Sequence, residues 1–140
     1  IILEEHAKNF FDLETISPYM LLVGHVIESE GYENKLDKFT GFEKLQNIDS
    51  KIPAVTHVNY TARIQTVSQK QNHKIYDLIN EFYKITKIPL LVNTSFNIKD
   101  EPIVESPADA FKCFMGSGLD YLVCGNFLLN KKDQYNDREI

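Results

Sequence analysis

The sequence contains little cysteine, and what it contains does not form a recognisable framework. Cys113 and Cys124 are the only two cysteines, and no CxxC spacing is present. The sequence therefore gives no support for a zinc ribbon or a disulfide scaffold, and we predict no metal ligands in this chain. Both cysteines lie within apolar patterns, so we expect buried free thiols, as is usual in a reducing cytoplasm.

Long apolar runs, an initiator methionine and a signal peptide are also missing. The longest apolar candidate, residues 18–27, is shorter than the roughly 20 residues that a membrane-spanning helix needs. We interpret it as a buried strand and expect no membrane partner. The opening Ile-Ile-Leu-Glu-Glu lacks the basic start of a signal peptide. We therefore expect a cytoplasmic fragment of a longer protein, with a region upstream missing.

Basic residues are outnumbered, since 15 Lys and Arg stand against 20 Asp and Glu, giving a net charge of −5. A nucleic-acid binder needs clustered basic side chains to neutralise phosphates, so this balance argues against such a partner. The length of 140 residues fits one domain with its own core.

The most informative stretch is residues 88–104, where an apolar run ends abruptly in small polar residues. The run Ile88–Val92 predicts a buried strand. In open α/β sheets, ligands bind beyond the carboxyl ends of strands. The polar residues of the stretch are Asn93, Thr94, Ser95 and Asn97. On an extended chain Asn93, Ser95 and Asn97 point to one side, and Thr94 points to the other together with Phe96, the apolar anchor. They suit a phosphate or a carbamoyl group, or they form a polar turn that caps its own backbone.

The rest of the chain alternates helical and extended patterns and predicts an α/β (α+β) domain with a twisted mixed sheet flanked by helices. We expect helices at 2–11, 73–86 (capped by Asn72) and 106–115 (with a Ser106 capping box). We expect strands at Tyr19–Ile27, Val55–Val58, Ala62–Val67 and Tyr121–Leu129, the third preceded by a turn at Asn59-Tyr60 and the last broken at Gly125-Asn126. Residues 28–51 read as a loop excursion with a short helical turn near Phe42–Leu45, and 132–140 as a charged tail.

Arg63 is the basic residue with the clearest functional interpretation. The alternation of residues 62–67 places Arg63 on the same face as Gln65. Arginine is the preferred bidentate partner of phosphate and carboxylate groups. The alternative is a surface ion pair without function.

Three segments together resemble the carboxy-terminal domain of O-carbamoyltransferases, a group that includes nodulation-protein carbamoyltransferases and antibiotic-carbamoylating enzymes. At residues 56–67 the chain reads Thr-His-Val-Asn-Tyr-Thr-Ala-Arg-Ile-Gln-Thr-Val, where the family usually has Thr-His-Val-Asp-Gly-Thr-Ala-Arg-Val-Gln-Thr-Val. The second segment is residues 89–97 followed by Glu-Pro-Ile-Val at 101–104. The third comprises Ser-Pro-Ala-Asp-Ala at 106–110, Gly-Leu-Asp-Tyr-Leu-Val at 118–123 and Gly125-Asn126. The opening helix and Ser-Pro-Tyr-Met at 17–20 extend the match over most of the chain except residues 28–50.

The resemblance implies a single domain over residues 1–131, similar in fold to YrdC/Sua5 domains, that binds ATP and carbamoyl phosphate and forms a carbamoyl-adenylate. A covalently linked upstream Kae1-like domain, holding a divalent metal, would then pass the carbamoyl group to an acceptor hydroxyl. By resemblance the catalytic set is Arg63, Ser95 and Asn97, and the candidate substrate-binding residues are Asn93, Thr94, Gln65, His57 and Thr61. His57 has a second interpretation as a buried, hydrogen-bonded histidine.

Two departures from the family pattern alter turns rather than these residues. Asn59-Tyr60 replaces Asp-Gly, and Lys99-Asp100 stands where glycine normally precedes Glu-Pro-Ile-Val, so residues with side chains occupy places that favour positive φ. The family's upstream basic stretch is absent, and we expect the isolated fragment to be inactive. Alternatives are a nucleotide- or RNA-binding module of the same fold and a structural domain that packs on its partner domain. A homodimer is left open.

Overall fold

The computed structural model describes residues 1–27, 38–48 and 50–134, and the chain forms two compact units, Ile1–Asn93 and Thr94–Ile140. Helices and short paired strands alternate along it, which confirms a mixed α/β chain. Within the described ranges the strands pair as two-stranded sheets, one parallel and the others antiparallel. No helix there is both long enough and apolar enough to cross a membrane.

Strands β2 (Leu22–His25) and β3 (Thr61–Ile64) form an antiparallel pair in unit 1, in the register Val23 opposite Arg63 and Gly24 opposite Ala62. Ala62 and Ile64 are buried, whereas Arg63 is exposed. One face of this pair therefore packs on the core and the other meets solvent, as is common for antiparallel sheets. Gly24 lies where a Cβ would come within 2.8 Å of the Asp12 carbonyl oxygen.

The prediction of a strand over Tyr19–Ile27 is too long, and its burial is wrong. β2 covers only Leu22–His25, because Met20 has a φ of 53° and interrupts the extended chain before it. Leu21 is 81% and Val23 59% exposed. The apolar run predicts a strand that is covered on both faces, whereas β2 is covered on one.

Strand β1 (Ile2–Leu3) replaces the start of the helix predicted at 2–11. β1 pairs in parallel with β4 (Thr66–Val67), and Ile2 also bridges Leu90 on its other side. A 3-10 turn at Glu4–His6 and a short helix α1 (Ala7–Phe10) follow. Helical structure begins only at residue 4, because the backbone groups of Ile2 and Leu3 form hydrogen bonds with other strands.

The apolar run Ile88–Val92 is not the regular buried strand that we predicted. The Ile1 nitrogen donates to the Leu91 carbonyl at 2.8 Å, Leu91 N–H donates back at 2.9 Å, and Leu3 N–H donates to Pro89 at 3.0 Å. Pro89 has no N–H to give, so the ladder is reduced to a single bridge at Leu90. Leu90 is buried, but Val92 is 56% exposed.

A 3-10 helix at Pro53–Val55 and a turn occupy the place of the strand predicted at Val55–Val58. Proline at the first helical position favours that turn of helix. His57 N–H donates to the Thr61 carbonyl at 2.8 Å and Tyr60 N–H donates to the His57 carbonyl at 2.9 Å. These bonds close a three-residue loop before β3, in which Tyr60 has a φ of 55°. Type I turns followed by such a left-handed residue are common hairpin connections.

Helix α2 (Glu43–Gln46) lies close to the helical turn predicted near Phe42–Leu45. Residues 28–37 and 49 of the predicted excursion 28–51 lie outside the described residues, as do residues 135–140 of the tail. The described start of the tail forms a 3-10 helix at Lys131–Gln134.

Helix α3 (His73–Thr86) has the predicted bounds, and Asn72 caps it by accepting a hydrogen bond from Ile75 N–H at 3.2 Å. Ile79 is fully buried, as predicted, but Leu78 and Ile85 are 56% and 83% exposed. The prediction that the whole apolar stripe faces the core is therefore wrong. The apolar face of the helix is wider than the area that β1 and β4 cover.

Unit 1 is stabilised by two apolar clusters of buried side chains. One combines residues of β1, α1 and β3 with residues that follow or precede regular elements, namely Ile2, Ala7, Phe11, Val26, Ile52, Ala62, Ile64 and Leu90. The other packs Ile79 of α3 on Leu3 and Val67.

Unit 2 contains helix α4 (Pro107–Gly116) and the hairpin β5 (Tyr121–Cys124) and β6 (Phe127–Asn130). Ser106 forms the predicted capping box with Asp109. Gly125 turns the hairpin with a φ of 60°, the conformation that glycine adopts without strain. Phe114 and Leu122 are buried between helix and hairpin, whereas Val123 and Leu128 on the outer face are 71% and 69% exposed.

Candidate functional site

The loop before β3 carries two of the candidate substrate-binding residues, His57 and Thr61. The Nδ1 atom of His57 lies 3.0 Å from the Thr61 hydroxyl oxygen. That hydroxyl donates to the Asn59 amide oxygen at 2.8 Å, which also receives Thr61 N–H at 3.3 Å. His57 is hydrogen-bonded but exposed, so its interpretation as a buried histidine is wrong. An exposed imidazole can contact a ligand.

Arg63 projects from the solvent face of β3, opposite Val23. Among the described carboxylates none lies within ion-pair distance of its guanidinium. The alternative of a surface ion pair therefore finds no partner in the described part of unit 1. A guanidinium held on a strand and not neutralised by a carboxylate is suited to an anionic ligand.

Gln65 and Asn93, two further candidates, contact each other directly. The Asn93 Nδ2 atom donates to Gln65 Oε1 at 2.6 Å, and Gln65 Nε2 donates to the Pro18 carbonyl at 2.9 Å. Both ends of the Gln65 amide have a partner of the opposite kind, so its orientation is determined by the network. Three segments that are distant in sequence thus meet at one side chain.

Gln65 also marks the point where β3 ends and β4 begins. Its carbonyl accepts from Ile2 N–H at 2.8 Å, while Ser17 bridges the break on the other side. The buried Ser17 hydroxyl donates to the Ile64 carbonyl at 2.8 Å, and its N–H donates to the Thr66 hydroxyl at 2.9 Å. The loop that carries Pro18 is therefore fixed to the strand that carries Arg63 and Gln65.

Thr94, Ser95 and Asn97 belong to unit 2. Thr94 and Ser95 are exposed, and Phe96 packs on the Phe114 cluster, which confirms Phe96 as the apolar anchor of this stretch. Asn97 Nδ2 donates to the carbonyls of Ile98 and Glu101 at 3.0 and 3.3 Å.

The turn-capping interpretation of the stretch is thus correct for Asn97. Since the side-chain NH₂ group of Asn97 donates both of its hydrogen bonds to carbonyl oxygens, the atom that Asn97 offers to a ligand is Oδ1. Asp100 in the same turn has a φ of 68°, so a residue with a side chain does occupy the left-handed position where the family has glycine.

The structure thus joins Gln65 to Asn93 and His57 to Thr61, with Arg63 on the same strand as Thr61. The meeting of Arg63 with Ser95 and Asn97 at one anion pocket stays a prediction, because these residues belong to different units. The catalytic roles of all three likewise stay predictions.

The sequence reasoning did not identify the loop at residues 17–20 as part of this arrangement. Ser17 and Pro18 hold the Gln65 side of the network. The signal that could have found them is the Ser-Pro-Tyr-Met match at 17–20, which was used only to extend the resemblance.

Unit 2 has an open cleft of about 320 Å³ beside the start of α4. The hydrogen bond from the Ser106 hydroxyl lowers the pKa of Asp109 at this cleft, and Lys112 lies 3.7 Å from Glu101. No group of three or more His, Cys, Asp or Glu side chains with metal-binding geometry occurs within residues 1–27, 38–48 and 50–134.

Comparison with known proteins places these segments in one family. The family model described as "Carbamoyltransferase C-terminus" matches residues 1–131. The chain is 44% identical to an uncharacterised protein of Synechocystis, and the aligned residues cover 95% of this chain and 22% of the length of that protein. It is 41% identical to the nodulation protein NolO of Bradyrhizobium diazoefficiens, over 93% of this chain and 21% of that protein.

A third relative, nodulation protein U of Rhizobium tropici, is 33% identical over 94% of this chain and 19% of its own length. The chain thus spans about a fifth of the length of these relatives. Because the family model covers nearly the whole sequence, the chain belongs to the carbamoyltransferase C-terminal family.

Proposed function

We propose that this chain is the part of an O-carbamoyltransferase that binds ATP and carbamoyl phosphate and forms a carbamoyl-adenylate. The proposal includes a YrdC-like fold over residues 1–131 and a cytoplasmic location. In the same proposal, transfer to an acceptor hydroxyl takes place in a covalently linked Kae1-like domain that holds the divalent metal.

The observation that supports it best is the hydrogen bond between Asn93 and Gln65, at 2.6 Å, two residues along the chain from the exposed Arg63. These side chains come from two of the three segments on which the family resemblance rests. Among the described residues no carboxylate pairs with Arg63, so its charge is available to a ligand. A phosphate ligand needs both a charge partner and directed hydrogen-bond donors.

The chemistry sets what these groups must do. Carbamoyl phosphate must lose its phosphate to water to give carbamate. A carbamate oxygen then attacks the α-phosphorus of ATP, the bond to the leaving pyrophosphate breaks, and carbamoyl-adenylate, pyrophosphate and phosphate are the products. Each step develops negative charge on phosphoryl oxygens, and fixed positive charge and hydrogen-bond donors lower that barrier.

In this proposal Arg63 neutralises phosphoryl charge, and Ser95 donates its hydroxyl to the same ligand. Asn93 has a second N–H on Nδ2 beyond the one given to Gln65, so it adds a directed donor. His57, Thr61 and Thr94 supply further contacts. Asn97 supplies Oδ1, which accepts a hydrogen bond from the carbamoyl NH₂ group.

The test is carbamoyl-phosphate-dependent exchange of labelled pyrophosphate into ATP, catalysed by the full-length protein. Arg63→Ala is expected to lower the exchange rate by about 100-fold, since charge-assisted hydrogen bonds to a phosphate are worth up to about 3 kcal/mol. Arg63→Lys should restore part of the rate, because it returns the charge without the bidentate geometry.

Lys84→Ala is the matched control, because it removes a surface cation from α3 whose ion pair within the described residues is with Glu81, at 2.5 Å. It should leave exchange unchanged. Equal exchange rates for wild type and Arg63→Ala would reject the assigned role of Arg63. No exchange by the wild-type protein, with folding intact, would reject the adenylate-forming step itself.

A structural role has its own support in the outer face of the β5–β6 hairpin, where Tyr121, Val123 and Leu128 are 59%, 71% and 69% exposed. Exposed apolar faces of this kind favour packing against another surface. The chain spans about a fifth of its relatives, so the remainder of a longer polypeptide is the proposed partner. Slower hydrogen exchange of this hairpin in the full-length protein than in the 140-residue chain would support it.

A further inference from the structure

We propose that the cleft between residues 18–19 and the β4–α3 connection is the nucleobase subsite, where Tyr19 stacks on a purine. This inference rests on the proposed function, because it assigns the base of ATP within the same arrangement. It adds a specificity-determining residue, Tyr19, and two amides that none of the family motifs above identifies as ligands.

The cleft has a volume of about 340 Å³, within the range of pockets that hold small molecules. Gln65 is one of its walls, so the cleft adjoins the Gln65–Asn93 pair, with Arg63 two residues away on the strand. A ligand whose phosphates contact Arg63 would have its other end within reach of this cleft. Its lining includes Pro18, Tyr19, Gln65, Thr66, Gln71 and Asn72.

Tyr19 is the aromatic wall of the cleft and is 78% exposed. Its ring is therefore not held by core packing, although its backbone is fixed on both sides. Before it, Ser17 and Pro18 are hydrogen-bonded to the strand; after it, Met20 has a φ of 53°, a conformation that costs free energy for a residue with a side chain. A loop that is hydrogen-bonded to the strand before Tyr19 thus presents an aromatic ring to solvent at a cleft.

Two amide side chains, Gln71 and Asn72, also line the cleft. Gln71 Oε1 accepts from Ser68 N–H at 3.0 Å, and Asn72 Oδ1 accepts from Ile75 N–H at 3.2 Å. Each oxygen accepts from the backbone, so the group that each amide has left for a ligand is its NH₂. A purine base has ring nitrogens that accept hydrogen bonds and a flat π-face, which fits a cleft lined by two amides and an aromatic ring.

The experiment measures binding of ATP and of inorganic triphosphate to the full-length protein by calorimetry. Tyr19→Ala should weaken ATP binding about tenfold, which is about 1.4 kcal/mol and within the range for base–aromatic stacking. Triphosphate has no base, so its affinity should be unchanged. Tyr19→Phe keeps the ring and should bind ATP like the wild type.

Tyr121→Ala is the matched control, since it removes a 59% exposed tyrosine from the β5–β6 hairpin of unit 2. It should bind both ligands normally. If Tyr19→Ala binds ATP as the wild type does, the subsite is wrong while the proposed function stands. If Tyr19→Ala binds ATP normally but has a lower melting temperature than the wild type, the cleft is instead a packing surface for the remainder of the polypeptide.

Equal weakening of ATP and triphosphate by Tyr19→Ala would also overturn the subsite, because a stacking residue has no reason to affect a ligand without a base. Failure of the wild-type protein to bind ATP at all would instead reject the proposed function, and this subsite with it.

Discussion

The loop before β3 allows a sharp test of how backbone strain and burial are balanced at Tyr60. Tyr60 is only 1% exposed, yet its φ is 55°, in the left-handed region where the family usually has glycine. We therefore compare Tyr60→Ala with Tyr60→Gly. Both remove the buried ring, but only glycine also removes the strain.

The two effects have different sizes. Truncating a buried aromatic side chain to alanine costs about 3–5 kcal/mol. A left-handed backbone costs a residue with a Cβ roughly 1–2 kcal/mol, whereas glycine loses about 0.5–1 kcal/mol more conformational freedom on folding than alanine does. We expect Tyr60→Gly to be about 2–4 kcal/mol less stable than wild type, and about 0.5–1 kcal/mol more stable than Tyr60→Ala. Burial therefore outweighs strain, which explains why tyrosine is tolerated here.

Ala62 provides the control, because it is equally buried at 1% exposed and lies in β3 with an ordinary extended backbone. At position 62 glycine should be less stable than alanine, by about 0.5–1 kcal/mol. The order of glycine and alanine should thus reverse between positions 60 and 62.

Amide hydrogen exchange of the β2 and β3 strands is the suitable assay, because it reports the opening of unit 1 separately from unit 2. Urea titration followed by circular dichroism supplies the total free energy of unfolding. If Tyr60→Ala is at least as stable as Tyr60→Gly, the left-handed strain assigned to this loop is refuted.

Two further predictions concern local packing and a helix cap. Gly24→Ala should destabilise unit 1 by about 1–3 kcal/mol in urea unfolding, because a Cβ would lie 2.8 Å from the Asp12 carbonyl oxygen. In the control Gly116→Ala the new Cβ meets only the end of a flexible side chain, so its stability should stay within about 0.5 kcal/mol of wild type. Equal destabilisation by the two substitutions would contradict this prediction. Ser106→Ala should return the lowered pKa of Asp109 toward its usual value, as measured by NMR titration. Because the pKa of Asp109 is depressed in the folded protein, the stabilisation is present above the unfolded pKa and is lost as pH falls through the folded pKa. The difference in stability between wild type and Ser106→Ala should therefore shrink in acid. A difference that stays constant with pH would contradict this prediction.

The helices that have strong local signals were predictable from the sequence. Asn72 and Ser106 provide capping side chains, and the apolar spacing of α3 and α4 continues from each cap. Such signals depend only on neighbouring residues. They do not show how wide a contact the helix makes, and for this reason the exposure of Leu78 and Ile85 was missed.

The strands were predicted less well, because their extent depends on partners that are distant in sequence. Ile2 and Leu3 fit a helical stripe, but their backbone pairs with β4 and Leu90 instead. Pro89 has no N–H and reduces an apolar run to a single bridge.

For the candidate site, Gln65 and Asn93 were identified, each as a separate candidate. Their direct hydrogen bond at 2.6 Å was not predictable, because no local pattern connects residues 28 positions apart. The catalytic set of Arg63, Ser95 and Asn97 stays a prediction, since the two units that carry it are described separately.

The β5–β6 hairpin has a practical consequence for anyone who produces the chain alone. Within the described residues, these strands pair only with each other, and Val123 and Leu128 are largely exposed. Strand edges with free backbone groups and apolar side chains are templates for intermolecular pairing. Recombinant preparations should therefore lose monomer as concentration rises, and a lysine in place of Val123 should improve their solubility without disturbing the interior.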